Sequence, residues 1–349
     1  MRHLTPEWCH VPLYARFAME GLQELTIELC DRCPQKCLHC SSNSSPICVN
    51  ELDEAAAVSL IRQAASIGTR KISLGGGEPV LSHHLDVVLT EAAALQLDLE
   101  IFTCGIASLP PELGSLPAPV IESWTHIPNL KVIFSLQGAT ASVHDHVTQA
   151  EGSYDVLMKS LCDCIFAGVT CELNFVPLRP NVREFPRFVE LAEELGIHRA
   201  SALRFVPQGR GLQNRDELEL SREEEDAFVR QLVELRQSHR LEIRTGSPFN
   251  GIVPGNRVPC RAGFRKLVVQ ANGNVLPCEV FKDARRSNWN LNIYDQSLHE
   301  IMASKCLTSL RRELEASCCF ECPIHRTLRR QQRTEGDHER VPAPAIYAP

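Results

Sequence analysis

Hydrophobic positions along this chain alternate between two periods. Residues 24–29, 70–74, 98–103, 131–135, 170–176 and 200–206 are short runs rich in apolar and β-branched side chains, the pattern of strands buried in a sheet. Between them lie longer segments with apolar residues three and four apart, at 53–67, 85–95, 154–166, 184–195 and 222–237, which predict amphipathic helices. The first helix starts on acidic residues, and Gly68 and Gly196 stand just past two of the helix ends. The stretch 106–129 carries five prolines and is expected to be an irregular connection with at most a short helix. Six strand–helix units in series predict the α/β class, a partial (β/α)6 TIM-like barrel with helices outside a parallel sheet. Such sheets carry their chemistry at the carboxyl ends of the strands.

The pattern changes near residue 240. Residues 241–244 have strand character, and 245–256 form a loop containing Gly and Pro. Residues 266–270 and 274–276 flank Ala271-Asn272-Gly273, which predicts a hairpin with Asn-Gly at its turn. The expected organisation is a lead-in at 1–20, the barrel at 21–240, a small C-terminal hairpin and helix module at 241–326, and a tail at 327–349. With a net charge of -7, bulk electrostatics favour neither nucleic acid nor an anionic membrane surface as partner. No apolar run approaches the roughly 18 residues of a membrane span, and the N-terminus lacks the apolar core of a signal peptide, so a cytoplasmic protein is expected.

Sixteen cysteines change the picture, because in a long intracellular chain they point to metal or redox chemistry rather than to disulfides. Cys33, Cys37 and Cys40 form a tight group directly after the first strand. Cys260 and Cys278 bracket the hairpin, and Cys318, Cys319 and Cys322 gather near the end. Three thiolates within eight residues can hold three irons of a four-iron cluster and leave the fourth open to a ligand. The alternative is a structural zinc site, for which Cys30 with Cys33 would supply an extra pair.

The C-x3-C-x2-C spacing after strand one resembles the signature of the radical S-adenosylmethionine (SAM) superfamily. The resemblance implies that Cys33, Cys37 and Cys40 hold a [4Fe–4S] cluster whose open iron chelates SAM. Reductive cleavage of SAM then yields a 5′-deoxyadenosyl radical that abstracts hydrogen from a substrate. His39 stands where the family often has an aromatic residue near adenine. Gly75-Gly76-Gly77-Glu78-Pro79 ends the second strand and looks like the motif that binds the amino group of SAM. Ser135-Leu136-Gln137-Gly138 resembles a further family segment, making Ser135 and Gln137 candidates for contact with SAM or substrate. His144-Asp145 and Gly152-Ser153 continue that pattern, with Thr148 replacing the usual arginine. Asn174 is a candidate for the SAM ribose and Arg204 for a carboxylate. Cys104 closes the third strand in a turn similar to the family's Thr-Asn-Gly. It is either a hydrogen donor of the kind an epimerase requires or a small packing residue.

The second cysteine group resembles the twitch module, a shortened form of the SPASM extension. The resemblance implies one auxiliary [4Fe–4S] cluster on Cys260, Cys278, Cys319 and Cys322, with Cys318 a bystander or substitute; a zinc ribbon is the alternative. Two clusters and SAM make this an expected oxidoreductase or isomerase. The expected substrate is a ribosomally made peptide, modified by crosslinking, oxidation or epimerisation. A sugar- or nucleoside-like small molecule is the rival substrate, and a non-catalytic iron–sulfur or zinc protein the rival class. The Tyr-Ala-Pro end argues against molybdenum cofactor assembly, which expects Gly-Gly. An electron donor such as flavodoxin or ferredoxin is an expected partner, and because few residues precede the first strand, a peptide-modifying enzyme is expected to need either a separate leader-binding protein or a leaderless mode. Arg204, Gln208 and Arg210, after the sixth strand, are further candidates for contact with an anionic or peptide substrate.

Overall fold

A computed structural model describes residues 21–282 and 289–316. The proposed lead-in and tail, and Cys318, Cys319 and Cys322, lie outside the described residues. The strands are β1 Glu24–Cys30, β2 Lys71–Gly76, β3 Asp98–Thr103, β4 Leu130–Ser135, β5 Cys171–Phe175, β6 Arg199–Ala202, β7 Glu242–Thr245, β8 Lys266–Val269 and β9 Val275–Leu276. They form one sheet in the order β7-β6-β5-β4-β3-β2-β1-β8-β9, with every neighbour pair parallel except β8 and β9. The helices are α1 Glu54–Ser66, α2 Leu85–Ala94, α3 Ala118–Thr125, α4 Ala141–Thr148, α5 Ser153–Phe166, α6 Phe185–Glu194, α7 Arg210–Gln213, α8 Arg215–Leu218, α9 Arg222–Ser238, α10 Leu298–Met302 and α11 Lys305–Ala316. The expected partial α/β barrel is present, and the sheet runs past its six expected strands on both sides.

Both additions follow from backbone pairing. β7 begins at the expected module boundary, yet Arg199 to Ala202 pair in register with Glu242 to Thr245, so it continues the barrel sheet. The hairpin forms as its Asn-Gly turn predicts, with Gly273 at φ +83°, and β8 lies parallel to β1. The C-terminal segment is thus joined to the barrel by strand hydrogen bonds. The sixth strand ends at Ala202, short of the expected 206, so Arg204 sits on the following loop.

β1 shows how the layers are made. Leu25, Ile27 and Leu29 join the apolar layer, while Glu24, Thr26 and Glu28, one residue out of phase, are buried polar groups. Rings of Phe175, Phe185, Phe188 and Phe228 pack with centroids 5.0–5.8 Å apart and fasten α6 and α9 to β5. Each such ring contributes about 2 kcal/mol by burial.

At the amino ends of the strands, buried charge is matched by charge. Glu24 meets Lys266 at 3.0 Å and Lys71 at 3.3 Å. Glu100 meets Lys71 at 3.0 Å and the Ser73 hydroxyl at 3.1 Å. Glu172 meets Arg199 at 3.2 Å, Lys131 at 3.7 Å and Arg244 at 3.8 Å. A cavity of about 310 Å³ at this end is lined by Lys71, Glu100 and Lys131 and contains none of the residues singled out from the sequence.

Candidate active site

The carboxyl ends of the strands bear the cysteine loop. After β1 the chain turns through Cys33, Cys37 and Cys40, and the loop is held from below by backbone bonds. Cys33 N–H donates to Ser45 O, and Lys36 and Leu38 N–H donate to Thr148 O and Val147 O on α4. Leu38 anchors the loop in a small apolar cluster with Val147, Leu178 and Leu218. α4, whose helical run the hydrophobic pattern did not predict, is therefore a shelf for the loop. Burial, with Cys33 and Cys40 adding to it, pushes the Cys37 thiol well above its ordinary range. A buried thiol that resists ionisation fits bound cationic iron, whose charge reverses that preference.

The glycine turn after β2 presses on the same loop. Gly77 and Glu78 N–H donate to Cys30 O and Arg32 O, both at 2.7 Å. A Cβ on Gly76 would stand 2.2 Å from Cys30 O, and one on Gly77 2.0 Å from Arg32 O, so only glycine allows this approach. The Glu78 side chain is fully buried. Its carboxylate accepts from the Thr103 hydroxyl at 2.7 Å, Cys104 N–H at 2.6 Å and Val80 N–H at 3.3 Å, which ties the turn to the end of β3. Burial raises its pKa. Glu78 therefore shapes the turn from inside, and Pro79 opens the short 3-10 segment Pro79–Leu81 behind it. Cys104 is buried beside Cys33, and burial and the Cys33 thiol push its own thiol up.

Two residues expected to face a ligand are held by contacts within the frame. Gln137 is buried at the end of β4; its N–H donates to His144 Nδ1 at 3.1 Å and its Oε1 accepts from Val176 N–H at 3.2 Å, bridging β4 to β5. Arg204 is engaged by Glu225 at 2.7 Å and donates to Pro248 O at 3.2 Å. Its position beyond the strand end turns it toward α9. Ser135 and Asn174 are register partners across β4 and β5, at the expected carboxyl ends. Asp145 accepts from Gly152 N–H, the Ser153 hydroxyl and Tyr154 N–H, capping α5, while Thr148 hydrogen-bonds Ser153 at 2.8 Å. That carboxylate is satisfied without an arginine.

The loop after β6 closes over the cysteines. Arg210 donates to Cys37 O at 3.0 Å and Ser44 O at 2.6 Å, and its N–H to Cys40 O at 3.0 Å. A Cβ on Gly209 would fall 2.6 Å from Cys40 O and Ser41 O. Arg210, expected to contact substrate, is a brace for the cysteine loop. Gln208 is buried and donates to Glu279 O at 2.8 Å, linking this loop to the C-terminal segment. The Gly-Arg-Gly run was the only sequence sign of such a close packing.

The donor set fits a cluster. Beside the three thiols, Gln35 Nε2, His39 Nδ1, Ser44 Oγ and His144 Nε2 are buried without a hydrogen-bond partner. Burial, with Arg210 and His144 nearby, lowers His39 to about 4, and burial lowers His144 to about 4, so both rings are neutral donors or acceptors near pH 7. Among the described residues no three His, Cys, Asp or Glu side chains converge as ligands of a single metal ion do. Thiolates that each hold a different iron of a cluster stand further apart. In the C-terminal segment, burial pushes the Cys278 thiol up, with Cys260 adding to it, and burial raises Cys260 as well. The proposed partners Cys319 and Cys322 lie outside the described residues.

A partial parallel barrel with three thiols on its first loop and a glycine cradle beside them suits an enzyme that holds an iron–sulfur cluster at the barrel mouth. Residues 27–192 match the radical SAM superfamily, and residues 260–323 match the SPASM iron–sulfur cluster-binding domain. The chain is similar to the PqqA peptide cyclase of Xanthomonas campestris pv. campestris (strain 8004), 29% identical over 281 residues that cover 79% of this chain and 72% of that protein. It is also similar to the PqqA peptide cyclase of Methylocella silvestris, 27% identical over 307 residues covering 86% and 79%. Among solved structures, Streptococcus suis SuiB bound to S-adenosylmethionine superposes with a TM-score of 0.69 at 20% identity, over 90% of this chain and 74% of that one. SuiB bound to its precursor peptide SuiA gives 0.67 at 19%, over 86% and 69%. The chain belongs to the radical SAM superfamily and carries a C-terminal SPASM-type domain. It is a radical SAM enzyme, and its cofactors are SAM and [4Fe–4S] clusters. No helix of the described residues is long and apolar enough to cross a membrane.

Proposed function

We propose that this enzyme modifies a ribosomally made peptide, by crosslinking, oxidation or epimerisation. The observation that carries this reading is the similarity over most of the chain to PqqA peptide cyclases, supported by a fold shared with a protein solved on its precursor peptide. When bound, SAM and its cluster supply a 5′-deoxyadenosyl radical that takes hydrogen from the substrate.

The residues divide the remaining work. Cys33, Cys37 and Cys40 hold the SAM-cleaving cluster. The backbone of Gly76 and Gly77, shaped by Glu78 and Pro79, meets the amino group of SAM. His39, Ser135 and Asn174 face the rest of the cofactor. Cys260, Cys278, Cys319 and Cys322 supply four thiolates, enough for one auxiliary cluster. The barrel comprises 21–240 together with the strands that extend it, and the C-terminal domain runs to about residue 326. Flavodoxin or ferredoxin supplies the electron, a separate protein presents the leader, and the thiol-rich sites suit the reducing cytoplasm.

The test is anaerobic reconstitution followed by dithionite, SAM and peptides encoded beside the gene, with mass spectrometry in D2O. About eight irons per chain, 5′-deoxyadenosine and a peptide lighter by a pair of hydrogens support crosslinking or oxidation. A peptide that gains one solvent deuterium, lost in Cys104→Ala, supports epimerisation with Cys104 as donor. Turnover of a sugar or nucleoside with every peptide untouched overturns the peptide reading. In Cys278→Ala, iron content falls by about one cluster while SAM cleavage without peptide continues.

A further inference from the structure

Four residues past Cys278, the C-terminal domain sends one side chain into the barrel mouth. Lys282 is 8% exposed; its ammonium is ion-paired with Glu28 of β1 and donates to the Ser42 hydroxyl at 2.7 Å. Glu28 is equally buried, and Ser42 donates to it at 3.4 Å. Ser42 stands two residues after Cys40. The three groups therefore join the domain that carries Cys278, the strand that carries the cysteine loop, and the loop itself.

The contact closes a ring. The Lys282 segment continues back to Glu279, whose carbonyl accepts from Gln208, and Gln208 precedes the Gly209-Arg210 brace on Cys37, Cys40 and Ser44. Segments far apart in sequence thus grip the cysteine loop, and one grip comes from outside the barrel. Burial works against the charge on Lys282, but Glu28, with Glu279 and Cys40 adding to it, outweighs burial and raises the lysine pKa. A buried pair of this kind adds little net stability, since desolvating both ions offsets their attraction. Its geometric specificity is the more direct consequence.

We propose that Lys282 is a positioning residue for SAM binding: the C-terminal domain uses it, through Ser42, to fix the loop that carries Cys40, so the SAM site is complete only with that domain in place. The proposal rests on the assignment of Cys33, Cys37 and Cys40 to the SAM-binding cluster. A purely structural Lys282 would serve only to neutralise Glu28.

The deciding experiment compares wild type, Lys282→Met, Lys282→Arg and the double variant Lys282→Met/Glu28→Gln, each reconstituted anaerobically as the full chain. The readouts are SAM affinity and the SAM-dependent change in the electron paramagnetic resonance spectrum of the reduced protein. The double variant leaves no uncompensated charge, so it reports on positioning alone. Expected is a loss of SAM affinity of about tenfold or more in both Met variants, with a blunted spectral change and substantial recovery in Lys282→Arg. If Lys282→Met fails to fold, the double variant still decides. A double variant with wild-type affinity and spectrum overturns the role of Lys282. A wild-type protein whose spectrum does not respond to SAM overturns the ligand assignment and the proposal with it.

Discussion

The two ends of the barrel solve opposite problems with the same strands. At the amino ends, Glu24, Glu100 and Glu172 are each met by two or more partners, and the local charge closes on itself. At the carboxyl ends, thiols are gathered, and Gln35, His39, Ser44 and His144 each bury a polar atom without a partner. Unpaired buried polar atoms cost stability, on the order of 1–3 kcal/mol each, so the mouth is paid for by the rest of the fold. The difference teaches that one end balances its charges within the protein, while the other gathers thiols and imidazoles of the kind that suit a cofactor.

The sharpest way to break that division is at the mouth. Cys37→Ala should abolish 5′-deoxyadenosine formation with dithionite and SAM, because it removes a ligand of the open cluster. Cleavage at the wild-type rate would end the assignment. Gly77→Ala should cost about 3 kcal/mol, because its Cβ would overlap backbone atoms of Arg32 that cannot move aside. Anaerobic urea unfolding reads this directly, and an unchanged midpoint would mean the turn does not press on the cysteine loop.

Changes at the other end should touch stability and leave chemistry alone. Glu24→Gln should cost about 2 kcal/mol, since it weakens charged contacts to Lys266 and Lys71, which keep Glu279 and Glu100 as counter-charges. Burial by itself would raise the Glu24 pKa, but Lys266 and Lys71 more than offset this and lower it from 4.5. Its contribution is therefore present above about pH 4.5 and is lost as pH falls through the lowered value. The gap between wild type and Glu24→Gln should narrow over that acid window, while SAM cleavage at neutral pH stays near normal. A variant that is stable yet unable to cleave SAM would contradict the division between the ends. Lys131→Met is the mildest change, because the lysine side chain is 36% exposed and its ammonium lies 3.7 Å from Glu172. A loss above about 1 kcal/mol in thermal or urea unfolding would mean that this end is more tightly coupled than the geometry implies.

Much of this was legible in the chain. Strand and helix order followed from period, because burial on one or both faces leaves its mark on neighbouring residues. The hairpin followed from Asn272-Gly273, since the turn needs a positive φ that glycine supplies. Harder to see were strand ends and the use of polar residues. The pattern at 200–206 places Arg204 at a strand end facing a ligand; the strand stops at Ala202, and Glu225 takes the guanidinium. Gln137 carries a donor and an acceptor that suit a cofactor equally well, and nothing local revealed that Val176 would claim it.

What the sequence determined by itself was therefore local: the alternation that makes a parallel barrel, the thiol spacing that holds a cluster, and the glycines that let backbones touch. What only the tertiary structure decided was which distant groups meet. Arg210 reaches Cys37 across 173 positions and Lys282 reaches Ser42 across 240. Such contacts are set by how strands are ordered in the sheet, and a hydrogen bond between residues so far apart leaves no periodic trace in the chain that makes it.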